Sequence, residues 1–104
     1  MDKILDLKIK IENALRTIYD PEIPVNIFDL GLIYNIEINE DGKALVIMTL
    51  TTPNCPVAEI LPIQVKEIVS TLEGISEVEI KLTFDPPWSK EMLSEEAQLE
   101  LGLL

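Results

Sequence analysis

Residues 44–51 read Ala-Leu-Val-Ile-Met-Thr-Leu-Thr, an almost uninterrupted apolar run rich in β-branched side chains. A run of this kind favours a strand that is buried on both faces or that lies in the centre of a sheet. Residues 32–38 alternate apolar with polar side chains, which is typical of a strand with one face in water. The turn sequence Asn-Glu-Asp-Gly at residues 39–42 separates the two segments. We therefore predict a hairpin of two antiparallel strands.

A third strand and a crossover helix follow the hairpin. Residues 77–84 alternate apolar with polar side chains, and residues 57–74 show the apolar spacing of a helix that ends at a glycine. A helical connection of this length favours parallel pairing of the second and third strands. Pro62 falls inside the helical pattern, so either the helix is kinked near its start or a helix proper begins near Leu61.

Helices are also predicted at both ends of the chain. Apolar residues recur every three or four positions over residues 4–19, and this amphipathic helix must end by Asp20 because Pro21 follows. The tail, residues 88–104, has the spacing of one or two short helical turns. The predicted fold is α+β: a two-layer sandwich with a small mixed three-stranded sheet (hairpin plus β-α-β), helices on one face and a short helical C-terminal tail. The 104 residues are expected to form a single domain, 1–104.

The charge balance excludes several classes of partner. The chain has 8 basic and 19 acidic side chains, a formal net charge of −11. This excess of negative charge repels phosphate backbones and anionic lipids, so neither nucleic acid nor a membrane is an expected partner. The N-terminus has no apolar signal core, and a single cysteine cannot form an intramolecular disulfide. We therefore expect a reduced, cytoplasmic protein.

The common catalytic motifs cannot be written in this sequence. Without histidine there is no Ser-His-Asp triad, no Cys-His dyad and no HExxH zinc site. The four glycines lie too far apart for a phosphate-binding loop or a dinucleotide-binding turn. A nucleophilic Cys55 with Asp29 or Asp85 as acid or base would have no histidine to pair with the thiol. We do not expect an enzyme.

The single cysteine is the most informative residue for chemistry. Cys55 stands between a predicted strand and a predicted helix, and Pro56 after it is a residue type favoured in the first helical turn. At a helix N-terminus, unpaired N–H groups and the helix dipole would lower the pKa of the thiol below its free value of about 8.5. The thiolate is a nucleophile and a ligand for soft metals. Free cysteine is also often a small buried hydrophobe, so a packing role stays open.

Acidic residues are predicted to lie near this cysteine. The loop over residues 20–31 combines two prolines and three acids with five bulky apolar residues, unlike a solvated linker. Parallel pairing would bring residues 51–52 and 84–85 to the same edge of the sheet, with Asp85 and Trp88 towards the thiol. Carboxylates with one thiolate form a mixed ligand set that could bind a metal ion weakly. The structural alternatives are a local turn for the aspartate at the start of the loop and a core position for Trp88.

Three segments resemble the motifs of a known family. They are residues 20–34 (Asp-Pro-Glu-Ile-Pro-Val-Asn-Ile-Phe-Asp-Leu-Gly-Leu-Ile-Tyr), 48–56 (Met-Thr-Leu-Thr-Thr-Pro-Asn-Cys-Pro) and 82–88 (Leu-Thr-Phe-Asp-Pro-Pro-Trp). Their order and gaps resemble the SufT/PaaD-like family of small iron–sulfur-assembly domains. The resemblance extends over about residues 8–104.

The resemblance implies a role in the maturation of iron–sulfur proteins. It implies an α+β domain that acts with the SUF assembly proteins or delivers to iron–sulfur client apoproteins, and that handles iron or an iron–sulfur cluster transiently. The family's characteristic cysteine maps onto Cys55, and its acidic loop maps onto the acids of residues 20–31. Members linked to phenylacetate oxidation carry a C-terminal extension with further cysteines, whereas this chain ends at Leu104, so the SUF-associated branch fits better.

Two functional hypotheses follow. In the first, the thiol of Cys55 binds or passes a cluster, iron or persulfide. In the second, the protein is an adaptor that docks a scaffold or client through the apolar loop 20–31 and the tail, with Phe28, Leu30 and Trp88 as contacts and the cysteine structural. Clusters normally take four ligands, so a homodimer formed through an uncovered sheet edge could contribute a second thiol. The candidate pocket residues around Cys55, the candidate metal ligand, are Asp20, Glu22, Asp29, Thr52, Asn54, Asp85 and Trp88.

Overall fold

The chain alternates between helices and strands in the predicted order. The computed structural model describes residues 3–20, 23–50 and 60–102. Its elements are helix α1 (Lys3–Leu15), strand β1 (Ile33–Ile38), strand β2 (Lys43–Met48), helix α2 (Ile60–Ser70), strand β3 (Glu77–Leu82), a 3₁₀ turn (Lys90–Met92) and helix α3 (Glu95–Glu100). Within the described ranges, every helix falls short of the length and apolar content that a membrane span requires.

The sheet is mixed, and β2 is its central strand. The strand order is β1-β2-β3. Strand β1 pairs with β2 antiparallel, which confirms the predicted hairpin, and β3 pairs with β2 parallel, with Lys43 opposite Glu77 and Met48 opposite Leu82. Because parallel strands need a crossover, α2 returns the chain from one end of the sheet to the other. The predicted β-α-β unit is confirmed.

The helices in the described part of the chain cover only one face of the sheet. Along β2, Ala44, Val46 and Met48 are buried, whereas Leu45 and Ile47 on the opposite face are only partly buried. Helix α1 packs against β1 and α2, and α2 packs against β3. The two-layer sandwich is therefore confirmed. The long apolar run reflects the central position of β2 in the sheet rather than burial on both faces.

Helix α1 ends earlier than the apolar pattern predicts. It was expected to extend over residues 4–19, but it stops at Leu15 and a turn follows. The hydroxyl of Thr17 donates to the carbonyl of Ala14 at 2.6 Å, which competes with continuation of the helix. Ile18 keeps the helical spacing and is buried, but it lies in the turn. The pattern of apolar residues therefore continues beyond the helix itself.

Helix α2 passes through Pro62 without a break. Proline is the third residue of the described helix, a position where a backbone N–H has no partner within the helix. The two alternatives for Pro62 differ in the turn before Ile60, which lies outside the described residues. At the other end, the hydroxyls of Ser70 and Thr71 donate to the carbonyls of Glu67 and Ile68. The helix therefore ends at Ser70, four residues before the predicted glycine cap.

The segment before β1 belongs to the core rather than to the surface. Val25, Ile27 and Leu30 are almost completely buried. The N–H of Ile27 donates to the carbonyl of Ile18 at 2.8 Å, which ties the segment to the end of α1. The apolar composition of residues 23–31 is therefore explained by packing.

The C-terminal tail closes over this segment. Leu93 and Ala97 join the core, and the hydroxyl of Ser94 caps α3 by accepting from the N–H of Ala97 at 3.1 Å. Gly31 has a φ of +87°, and a Cβ added there would lie 2.5 Å from the carbonyl oxygen of Met92. The tail therefore lies directly on the backbone of the residue that precedes the buried Leu32.

Gly31→Ala is expected to destabilise the protein by about 2–5 kcal/mol, because a left-handed φ costs about 1–2 kcal/mol and overpacking about 1–3 kcal/mol. The matched control is Gly102→Ala, where φ is +74° but no atom lies within 4 Å of the added Cβ. Only the cost of the φ applies there, at most about 1–2 kcal/mol. Urea denaturation measures both. Equal losses would show that the close approach of the tail is not maintained in solution.

Candidate functional site

The described residues include half of the predicted site. Asp20, Asp29, Asp85 and Trp88 are described. The remaining predicted site residues lie outside the described ranges, as does the predicted helix N-terminus at the cysteine: Glu22, Thr52, Asn54 and Cys55.

The strands that flank the cysteine segment do end at the same edge of the sheet. Met48 and Leu82 pair at the end of β2 and β3, and the N–H of Thr83 donates to the carbonyl of Met48 at 2.9 Å. Thr49 and Leu50, which lead into residues 51–59, are both buried. The chain therefore enters the cysteine segment from a firmly packed end of the sheet.

The loop before β1 and the segment after β3 converge, while their predicted meeting point near Cys55 lies outside the described residues. The indole Nε1–H of Trp88 donates to the carbonyl of Leu30 at 2.7 Å. The hydroxyl of Tyr34 donates to the carbonyl of Pro86, also at 2.7 Å. Tyr34 lies at a β-bulge in β1, where two residues face one on β2. Trp88 is half-buried against the core, so the alternative of a core position is the one the structure supports.

The two described loop carboxylates take part in the structure of the loop. The Oδ1 of the buried Asp20 accepts from the N–H of Ile23 at 3.0 Å, the local turn that was the structural alternative for this residue. The Oδ2 of Asp29 accepts from the Nδ2 of Asn26 at 2.8 Å, and its Oδ1 lies 3.9 Å from the Nε of Arg16. These contacts orient both carboxylates along the loop.

The described carboxylates do not form a metal site by themselves. In residues 3–20, 23–50 and 60–102, no group of three acidic or cysteine side chains is placed to hold a metal ion. Asp85 is exposed, and its backbone N–H donates to the Thr83 hydroxyl at 3.3 Å. The predicted mixed ligand set was to be built around Cys55, which lies outside these ranges.

The predicted adaptor surface is not available as expected. Leu30 is fully buried and its carbonyl is bonded to Trp88. Phe28 is partly buried, with the Arg16 guanidinium 4.4 Å from its ring centroid. The prediction that Leu30 is a docking contact was therefore wrong, because the apolar side chains of this loop are needed to complete the core. The exposed large apolar side chains beside the end of the sheet are instead Ile60, Ile63, Leu82 and Phe84.

One residue of interest was not singled out from the sequence. Thr49 is completely buried, and its hydroxyl Oγ1 has no hydrogen-bond partner among the described residues, 3–20, 23–50 and 60–102. An unpaired buried hydroxyl costs about 1–3 kcal/mol. The only signal in the sequence was a threonine inside the apolar run 44–51. Its position, two residues before the cysteine segment, makes it a candidate member of the site.

A family model for iron–sulfur cluster assembly proteins matches residues 8–82, which is most of the chain. The chain belongs to the iron–sulfur cluster assembly protein family. The predicted SufT/PaaD-like resemblance is therefore confirmed. The match includes the whole sheet and the segment that carries Cys55, but not the tail.

Two relatives and one solved structure are similar over nearly their full length. The chain is 52% identical, over 99% of its own length and 98% of the relative's, to an Fe-S protein maturation auxiliary factor of Porphyromonas gingivalis. It is 35% identical to the Fe-S protein maturation auxiliary factor SufT of Staphylococcus aureus, covering 83% of this chain and 98% of that one. A crystal structure of a domain of unknown function from Bacillus anthracis superposes with a TM-score of 0.89 at 35% identity, covering 96% of this chain and 95% of that one. The relatives thus support the predicted family, and the superposed structure supports the predicted fold.

Thr49→Val is expected to stabilise the protein by about 1 kcal/mol, because it replaces a buried hydroxyl that has no partner in the described part of the chain by a methyl group of similar size. The control is Thr71→Val, which removes the 2.7 Å hydrogen bond to Ile68 and is expected to be neutral or slightly destabilising. Thermal and urea denaturation measure both. A loss of stability for Thr49→Val would show that the hydroxyl has a partner in solution.

Proposed function

We propose that this protein is a non-catalytic auxiliary factor in the maturation of iron–sulfur proteins, and that the thiol of Cys55 holds its cargo. The cargo is an iron–sulfur cluster, iron or persulfide, handled as a substrate. The observation that carries the proposal is the 52% identity, over almost both full lengths, with the Porphyromonas gingivalis maturation auxiliary factor.

The chemistry of a single thiol suits transfer rather than storage. A thiolate is a soft ligand for iron, but clusters normally take four ligands, most of them cysteines. Cys55 is the only cysteine of the chain, and histidine is absent. We infer that the other ligands come from the protein that gives or receives the cargo. Exchange of a single cysteine ligand would then release iron or a cluster, whereas persulfide sulfur would pass on when an acceptor thiolate attacks the outer sulfur and the thiolate of Cys55 leaves.

The end of the sheet offers a stable platform for such a site. The cysteine segment begins directly after Leu50, which is buried, and the neighbouring strand is held there by the bond between Thr83 and Met48. Ligands of α/β sheets commonly bind beyond the carboxyl ends of parallel strands. This supports a cargo site at the end where β2 and β3 both terminate.

The proposed partners are SUF assembly proteins or iron–sulfur client apoproteins. The net charge of −11 favours encounters with basic surfaces and makes association rates sensitive to salt. Glu37, Glu77 and Glu79 are exposed on the sheet face opposite the described helices, where Lys81 is also exposed and the Nζ of Lys43 lies 3.6 Å from the Oε2 of Glu77. Charge therefore contributes to the rate of encounter, while the cargo thiol provides the specific step.

Cys55→Ser is expected to abolish support of client maturation while leaving the fold intact, because serine cannot supply a thiolate. The measurement is the activity and cluster content of an iron–sulfur enzyme in cells whose own copy of the gene has been deleted. Activity should fall to the level of cells without the gene. Circular dichroism and thermal denaturation of the purified variant verify that it is folded.

Cys55→Ala separates chemistry from packing. Alanine keeps a small apolar side chain, so it would preserve a purely structural role, and the proposal expects it to fail as serine does. Anaerobic reconstitution with iron and sulfide, followed by absorption and Mössbauer spectra, then tests whether bound iron depends on the thiol. Full client maturation by either folded variant would contradict the role proposed for Cys55 and favour the adaptor hypothesis.

A further inference from the structure

The outer edge of β3 has no partner strand in the described part of the chain. Strand β3 pairs with β2 alone. On the side of β3 that faces β2, the N–H of Thr83 donates to the carbonyl of Met48. By the two-residue period of a strand, the backbone groups of Glu79 and Lys81 also face β2, while those of Ile80 face outwards. Val78 and Leu82 share the outward direction of Ile80. An edge of this kind is a template for pairing with another strand.

The two faces of this edge strand differ in character. Leu82 and Phe84 are 38% and 42% exposed, although they continue the side of the strand on which Val78 is buried. Glu79 and Lys81 are exposed on the other face of the strand. No proline and no register shift interrupts β3. The edge is therefore apolar on one face, charged on the other and regular throughout.

Charge selects one register for pairing of two such edges. In an antiparallel pair with Ile80 opposite Ile80 of a second copy, Glu79 lies opposite Lys81 of the second copy, and the two-fold axis repeats this contact. These residues form non-hydrogen-bonded pairs, in which cross-strand side chains are closest. A register centred on Glu79 would place two glutamates opposite each other, and one centred on Lys81 would place two lysines opposite each other. Like charges in these positions are destabilising.

The apolar face is matched in the same register. Leu82 lies opposite Val78 of the second copy, and Ile80 lies opposite itself. The backbone groups of all three residues point outwards, so the register that pairs the charges is also one that satisfies the hydrogen bonds. Self-complementarity of charge, apolar contact and hydrogen bonding is what a two-fold interface requires.

We propose that this protein forms a symmetric homodimer in which the β3 strands of two copies pair antiparallel about Ile80, giving a continuous six-stranded sheet. The proposal rests on β3 alone and stands apart from the role of Cys55. It identifies the occupant of the open sheet edge as a second copy of this chain.

The dimer separates the two Leu50 residues, after which the cysteine segments begin. Val46 pairs with Ile80 and thus lies level with the two-fold axis. Leu50, four residues further, lies about 13 Å beyond it along the strand, and in the opposite direction in the second copy. With three strand spacings between the two β2 strands, the two Leu50 positions lie about 30 Å apart. The dimer therefore places the two points at which the chain leaves the described sheet, after Leu50, at opposite ends of the six-stranded sheet.

Charge variants test the register directly. Glu79→Lys places two lysines opposite each other twice, and Lys81→Glu places two glutamates opposite each other twice, so each variant alone is expected to be monomeric. The double variant Glu79→Lys/Lys81→Glu restores the pairs and is expected to dimerise as the wild type does. An equimolar mixture of the two single variants is expected to form a heterodimer, because each then faces its complement. Sedimentation velocity at low salt measures all four samples.

The control is Glu77→Lys, which makes the same charge change on the same face of the strand but lies opposite Thr83 in this register. It is expected to dimerise as the wild type does. Circular dichroism verifies that all variants are folded. A wild-type protein that stays monomeric up to about 1 mM, the weak end of specific association, would overturn the proposal. So would a dimer that persists in either single variant, since that dimer must use another surface.

Discussion

Strand β2 needs a hydrogen-bonded neighbour on both of its edges, because its side chains at positions 44, 46 and 48 are buried and its backbone cannot be left to water. The other elements follow from this constraint. Strand β1 satisfies one edge through a tight hairpin, and β3 satisfies the other as a parallel strand. Parallel pairing requires a crossover, and α2 is that crossover. The segment after β2 and the segment after β3 must therefore leave the sheet at the same end.

Three hydrogen bonds to backbone carbonyls stabilise this end of the sheet. The indole N–H of Trp88 donates to the carbonyl of Leu30. The hydroxyl of Tyr34 donates to the carbonyl of Pro86, and the N–H of Ser94 donates to the carbonyl of Asp29. Each contact joins residues that are more than fifty positions apart in the chain. They connect β1 and the loop before it to the segment after β3 and to the tail. On the side of β1, the end of the sheet is therefore held by contacts between distant parts of the chain.

The sequence predicts the elements well because each has a periodicity that local physics produces. The strands at 33–38 and 77–82 lie where apolar and polar side chains alternate in the sequence. Three sequence motifs indicate the family. Element ends were less predictable. Ile18 preserves the helical spacing in a turn, so apolar periodicity alone could not locate the end of α1. The parallel pairing of β3 with β2 was predicted from the length of the helical connection between them, which depends on chain topology rather than on local sequence.

The candidate site was harder to predict than the fold. The carboxylates of Asp20 and Asp29 were placed near the thiol as possible ligands, yet they take part in the hydrogen bonding of their own loop. Residue type alone cannot distinguish a loop-forming aspartate from a ligand, because the same oxygen atoms serve both. Whether the hydroxyl of Thr49 finds a partner, which it does not among the described residues, depends on the groups that surround it after folding, and no sequence pattern encodes those groups.

The bond between Trp88 and Leu30 also gives the protein an internal optical probe. Trp88 is the only tryptophan of the chain, so all indole fluorescence comes from the point where the tail meets the loop. The emission of an indole depends on its contact with water and on its hydrogen bond, and both change if the tail separates from the loop. Docking of the tail can therefore be followed in the unlabelled protein, at the end of the sheet from which the cysteine segment departs.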